Sequence, residues 1–460
     1  MSGYTGVTPA DLEHMLDVIG VASVEELFDP IPPGVRLRRP IDLPPGKPEQ
    51  EVYTELRRLA ERNVSAEDEI TFLGAGMYDH YVPSIVDMLM SRSEFLTPYT
   101  PYQPEVSQGG LQVMFEYQTA ISELTGLPVS NASVYEGPSA VGAAAYLAKL
   151  TKKRPRLLVS RGVHPHSRET LRTLAAGYGT TVEEIALDDG VTDLDALRDE
   201  LADDVGAVVL QQPNFLGAVE DVAAIATAAH EHGALVICSA DPLTLGVLEA
   251  PGKQGVDVCV GEGQSLGNRL DFGGPSFGFF AATDAHLRRM PGRIAGETTD
   301  VDGRRGFVLT LQTREQHIRR ERATSNICTS QALNALGGVV YLSWLGRQGI
   351  VEIGELMLQR THYARETLAE LDGVHKLHDQ PVVREFALRL DAPVDRVLER
   401  CAAAQINAGY ALGRYYEEYE DGLLVAITEQ RTRADIDRLA AVLGDAVAAE
   451  RSASTKVAAV

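Results

Sequence analysis

Lysine is nearly missing from this chain. Of 42 basic residues only seven are lysines, Lys47, Lys149, Lys152, Lys153, Lys253, Lys376 and Lys456. None lies between Lys253 and Lys376. Acidic residues number 65, which gives a formal net charge of −23. Such a surface argues against nucleic acid or an anionic membrane as a partner. Abundant Asp and Glu with so little Lys resembles the composition of proteins from salt-loving archaea. Cysteine is scarce too. Cys238, Cys259, Cys328 and Cys401 are scattered, with no CxxC spacing and no Cys/His cluster. That excludes a zinc site or disulfide framework of recognisable spacing, so no metal is expected. The four read as reduced thiols, mostly buried, in a cytoplasmic protein. Long apolar runs are lacking as well; none approaches the roughly 20 residues that span a bilayer. The start, MSGYTGVTPADLEHMLDVIG, has no basic stretch leading into an apolar one, so no secretory signal is expected.

What is present reads as three regions. Residues 1–69 hold an amphipathic helix opened by Thr8-Pro9, a Pro-rich arm over 28–48 and a second helix at 48–64. Residues 70–350 alternate apolar strands with helices. Strands are expected at 156–160, 181–187, 207–212, 234–240, 256–261 and 277–282, with helices at 167–177, 193–203, 220–232 and 243–249. This spacing predicts parallel βαβ units covered on both faces. The strand at 277–282 follows 256–261 too closely for a crossover and is expected to run antiparallel. Helix-rich sequence follows over 326–371. Residues 351–460 then read as a small α+β domain, with strands at 383–390 and 423–428, helices at 393–404 and 431–449, and a frayed tail at 451–460.

Ligands of open parallel sheets bind at the carboxyl ends of the strands, and several stretches converge there. "YEGPSAVG" places Gly137, Pro138 and Ser139 at a helix start, which makes either an anion seat or a plain cap. "CSADPLTLG" puts Asp241 just past a buried strand. A carboxylate there could pair with a pyridine nitrogen of pyridoxal phosphate (PLP), or simply open a short helix. "VHPHSRE" offers His164, His166 and Arg168 as site groups or as helix caps. "TPYTPYQPEVSQGGLQ" is stiffened by Pro98, Pro101 and Pro104, and it can present Tyr99, Tyr102 and Gln103 toward a cleft or pack as extended surface. Arg314, Arg319, Arg320 and Arg322 form a basic island that suits an anionic ligand or an i,i+4-paired helix face. "GEGQSLGNRLDFGGPSFGFFA" (261–281) has the layout of a loop that would carry a cofactor-binding lysine, yet it contains none.

Three motifs along the chain carry a resemblance. "YTPYQPEVSQG", "MPGRIAGETTD" and "QTREQHIRRERATSNICTSQAL" occur in this order, and together they resemble the glycine dehydrogenase (decarboxylating) family, the P-proteins of the glycine cleavage system. The likeness runs from about residue 10 to 445. The length and motifs are similar to subunit 1 of the split form, in which two homologous subunits replace one chain.

The resemblance implies an α/β, PLP-dependent aminotransferase-like (fold type I) large domain with a mostly parallel sheet, and a small α+β domain. It implies that PLP and its Schiff-base lysine belong to subunit 2, with a heterodimer or heterotetramer formed, and that glycine and the lipoyl arm of H-protein are the substrates. Counted back from the Gly-Gly-Pro turn at 273–275, Gln264 takes the lysine's position here. Gly137, Ser139 and Asp241 then read as remnants of a cofactor site. Tyr99, Tyr102 and Gln103 read as contributors to the partner's site. Two rival readings are a scaffold that lends no atoms to catalysis and a self-sufficient enzyme using another lysine, with Lys253 nearest.

Overall fold

The apolar runs between residues 129 and 282 fold into one seven-stranded sheet. A computed structural model describes residues 6–458 except 272, 273, 275 and 324, with side chains as far as Ala453. Gly273 and Pro275 of the Gly-Gly-Pro turn thus lie outside the described residues. The chain divides into two compact units at Val64/Ser65.

The first unit holds helices α1 (Pro9–Ile19) and α2 (Glu49–Ala60). Thr8 caps α1 in a reciprocal box with Asp11, and Pro9 fits the first turn, where its missing N–H has no helical partner.

The second unit carries the sheet. Its strands in chain order are β1 (Val129–Ser130), β2 (Arg156–Ser160), β3 (Thr181–Ile185), β4 (Val205–Gln212), β5 (Leu235–Ala240), β6 (Val258–Glu262) and β7 (Gly278–Ala282). They lie side by side as β1-β7-β6-β5-β4-β2-β3. Strands β3, β2, β4, β5 and β6 are parallel; β7 runs antiparallel to both β6 and β1. Helix α3 (Gln108–Thr125) leads into β1, and the helices linking the strands are α4 (Gly137–Lys152), α5 (Pro165–Gly177), α6 (Leu194–Glu200) and α7 (Val222–Glu231). Both faces of the sheet are buried, and successive residues serve opposite faces. Leu157, Val159, Val209 and Ile237 pack under the alanine-rich α4, against Ala140, Ala144 and Ala148. Leu158, Val208, Leu210 and Val236 face the other way, toward Tyr117, Ile225 and Met357.

Helix α8 (Ala332–Ala369) packs across that second face. It is two helices joined at Gly346, whose φ of 63° and ψ of −177° interrupt the turn. A four-stranded antiparallel sheet follows: β8 (Val374–Lys376), β9 (Glu385–Leu390), β10 (Tyr410–Ala411) and β11 (Gly422–Ala426). Helices α9 (Val394–Ala403) and α10 (Arg433–Ala458) cover it around Phe386, Leu388, Val397 and Leu443.

Two expectations fail here. No helix forms over 243–249; a single 3-10 turn, Thr244–Gly246, stands there instead. Gly246 lies against the backbone of α8, where an added Cβ would collide with the Ile350 carbonyl oxygen, so this segment is shaped by a distant contact. The tail also does not leave the helix at 451, since α10 continues to Ala458; residues 459–460 of that expectation lie outside the described residues.

Candidate functional site

A cavity of about 340 Å³ opens at the carboxyl ends of β4, β5 and β6. Gln211, Ser239, Asp241 and Glu262 come from the strand ends, Gly137 from the start of α4, and His164 from the loop after β2. The segment from Ala75 to Tyr78 lines it from outside the sheet.

The start of α4 is built as the sequence suggests, but its donors are already taken. Glu136 accepts from the Ser139 N–H at 3.0 Å, and the Ser139 hydroxyl accepts from the Glu136 N–H at 3.3 Å. The Gly137 N–H donates to Glu262 Oε2 at 3.0 Å. Glu262 Oε1 accepts from the Gln264 N–H at 3.0 Å and also from the Ser276 hydroxyl. Burial pushes the Glu262 carboxyl above its ordinary range, while the Gly137, Ser276 and Gln264 contacts pull it back. Gly137 is tight here: a Cβ would lie 3.1 Å from Glu262.

Gln264 is buried, at 2 % exposure. Its Oε1 accepts from the Tyr78 N–H at 2.9 Å, and its Nε2 donates to the Tyr78 carbonyl at 3.1 Å and the Asn268 carbonyl at 2.8 Å. Three of the four hydrogen bonds an amide can make are therefore in place.

Asp241 faces Arg384, with Oδ2 2.5 Å from Nη2. The Arg384 guanidinium lies 3.3 Å above the Tyr78 ring and donates through Nη1 to His80 Nε2 at 2.5 Å. Glu385, next along β9, is buried. It accepts from the Ala75 N–H at 2.7 Å and the Tyr78 hydroxyl at 2.8 Å. Burial pushes its carboxyl up to about 7. His164 donates from Nε2 to the Ala75 carbonyl at 2.9 Å, and its Nδ1 accepts from the His166 N–H at 3.1 Å. Burial lowers its pKa to about 4, so the ring is neutral near pH 7.

PLP does not fit this cavity as it stands. An imine needs an amine, and no lysine is among the described residues that line the cavity; Gln264 and Ser139 do not line it either, although Ser265, next to Gln264, does. The phosphate would need the N–H groups that Glu262 and Glu136 hold. The pyridine nitrogen would need a carboxylate that Arg384 already pairs. Lys253 does not line the cavity; it is exposed on a turn before β6, 3.2 Å from Glu249.

Tyr99, Tyr102 and Gln103 do not line the cavity either. They form a separate exposed cluster, with Tyr99 at 75 % and Tyr102 at 46 % exposure. The Tyr102 hydroxyl accepts from Arg293 Nη2 at 3.1 Å, and its ring meets His317 edge-on at 5.3 Å. Arg293 is buried, with Nε 3.9 Å from Glu315. The Tyr99 hydroxyl lies 4.0 Å from Cys328 Sγ.

The basic island does not act as a unit. Arg314 is buried and donates to backbone carbonyls of Met290 and Gly292, tying two loops together, while Arg319 borders a different surface hollow with Arg288 and Arg289. Arg168 is likewise structural, bound to Glu184 at 2.5 Å and to the Val163 carbonyl at 3.1 Å. Reading the sequence by local motif missed Glu262, Arg384, Tyr78 and Arg293. Glu262 and Arg293 lie inside stretches the motif reading singles out, but Gly137, which Glu262 holds, and Tyr102, which Arg293 holds, are more than 100 residues away.

The comparisons with known proteins agree along the whole chain. The family described as "Glycine cleavage system P-protein" matches residues 2–443. A "Probable glycine dehydrogenase (decarboxylating) subunit 1" of Geobacillus kaustophilus is 49% identical over 442 residues, covering 96% of this chain and 98% of that protein. Its counterpart in Geotalea uraniireducens is 49% identical over 446 residues, covering 96% and 100%. A crystal structure of glycine decarboxylase (P-protein) of the glycine cleavage system, in inhibitor-bound form, superposes with a TM-score of 0.88 at 45% identity, covering 96% of this chain and 99% of that one. Glutamate decarboxylase of Lactobacillus brevis shares the fold alone, with a TM-score of 0.69 at 13% identity over 90% of this chain and 96% of that one. The chain belongs to the glycine cleavage system P-protein family.

Proposed function

We propose that this chain is subunit 1 of a split glycine decarboxylase. In this reading it pairs with a homologous subunit 2 that bears PLP. The pair decarboxylates glycine and passes the aminomethyl group to the lipoyl arm of H-protein. The observation that carries the reading is Gln264: the loop that should hold the cofactor's lysine holds an amide locked to Tyr78 by two hydrogen bonds. Full-length identity of 49% to relatives named subunit 1 supports the same assignment.

Tyr99, Tyr102 and Gln103 are this chain's contribution to the partner's site. Their exposure leaves them free to meet another surface, and the proline spacing limits the entropy lost when they are held there. Arg293 orients the Tyr102 hydroxyl from behind.

Reconstitution tests the proposal. Glycine–bicarbonate exchange should appear only when this chain and subunit 2 are combined. Exchange by subunit 2 alone at the rate of the pair would overturn the shared-site reading.

A further inference from the structure

The cavity at the carboxyl ends of the strands keeps the outline of a phosphate-binding site while its own carboxylates take the phosphate's place. Two backbone N–H groups, from Gly137 and Gln264, and the Ser276 hydroxyl all donate to Glu262. An oxyanion seated at a helix start takes donors of this kind. The next N–H in the turn, that of Ser139, is held by Glu136. A phosphate carries a charge of about −1.5 to −2 near neutral pH. To enter, it would have to expel the half-buried carboxylate of Glu262 and lie beside that of Glu136. The far end of the cavity is closed independently, because Asp241 is paired with Arg384.

We propose that Glu262 is a specificity-determining residue that bars phosphorylated ligands, PLP among them, from this chain's own cavity. Loss of the lysine alone would leave a pocket still able to hold PLP without a covalent bond and to draw it from the catalytic subunit. A carboxylate on the phosphate seat removes that competition. The inference builds on the proposal that the cofactor belongs to subunit 2, and it is tested apart from it. Exchange activity of the pair reports that reading, whereas phosphate binding by this chain reports Glu262.

The test is titration calorimetry of the full-length chain at constant ionic strength with two probes. One is inorganic phosphate. The other is pyridoxine 5′-phosphate, which has no aldehyde and cannot form an imine with any lysine. The wild-type chain should show no saturable binding of either. Glu262→Ala should bind both at least about tenfold more tightly, since it removes a charge and frees the Gly137 and Gln264 N–H groups and the Ser276 hydroxyl. If Glu262→Ala does not fold, Glu262→Gln carries the test: it keeps the volume and the accepting oxygen and removes the charge, so a smaller gain in the same direction is expected. Saturable binding by the wild-type chain, or a folded variant that binds no better than wild type, would overturn the proposal.

Discussion

The Gln264 side chain closes a ring with the backbone of Tyr78, accepting from its N–H at 2.9 Å and donating to its carbonyl at 3.1 Å. The two residues are 186 positions apart, so this one amide fastens the Ala75–Tyr78 segment to the end of β6. An aliphatic ammonium there could donate but could not accept from Tyr78. The residue is therefore integrated into the fold of this chain, and its replacement has structural consequences.

Gln264→Ala should destabilise the chain by about 2–4 kcal/mol, from three lost hydrogen bonds and the buried backbone groups left unpaired. Chemical unfolding at fixed salt measures this. Gln264→Lys should not yield a PLP-binding chain, because Glu262 and the Asp241–Arg384 pair remain. A stoichiometric pyridoxyl adduct on the introduced lysine after borohydride reduction would contradict that.

Tyr102→Phe in the assembled pair should lower glycine–bicarbonate exchange by about 5- to 150-fold, the range expected for one hydrogen bond in a dry site. Assembly and cofactor content should stay normal. Unchanged exchange would favour the scaffold reading for this residue. Lost assembly would show that the cluster holds the interface.

Stability should respond to pH through Glu385 and His164, with opposite signs. The Glu385 pKa is raised from 4.5 to about 7 in the folded chain. The folded state thus binds the extra proton, and stability is lost as pH rises through that window. The full effect is about 3 kcal/mol at 1.36 kcal/mol per unit. The His164 pKa is lowered from 6.5 to about 4, so its share is lost as pH falls through that range. Where the windows overlap the two slopes offset. Glu385→Gln isolates the first: between about pH 4.5 and pH 7 the wild-type chain should lose stability relative to the variant as pH rises. Parallel curves for the two proteins would refute the assignment.

Salt should stabilise the chain strongly. With a net charge of −23, self-repulsion opposes compactness at low ionic strength, where the Debye length reaches about 30 Å at 0.01 M. The melting temperature should keep rising with KCl beyond 1 M, where that length has shrunk to about 3 Å. A flat curve would reject the salt-adapted reading of the composition.

Six of the seven strands of the large sheet could be read from the sequence as short local runs between helix signals; β1, only two residues long, gave no such run. The antiparallel β7 followed from chain length alone, since no crossover fits between Glu262 and Gly278. The turn at Thr244–Gly246 did not follow, because Gly246 answers to the Ile350 backbone, more than 100 residues away. The site divides in the same way. Gln264, Gly137, Ser139 and Asp241 stand out by local motif. What occupies them is decided by Glu262, Arg384 and Tyr78, which meet them only in three dimensions. Nothing in the spacing of "GEGQS" says that its glutamate turns back onto the start of α4.

The central claim is that this chain works without a covalently held cofactor of its own. Borohydride reduction of the assembled pair in the presence of PLP, followed by peptide mapping, tests it most directly. The account predicts one pyridoxyl-lysine per pair, on the partner subunit, with all seven lysines of this chain unmodified. A stoichiometric, fold-dependent adduct on any of those seven, Lys253 included, would contradict it.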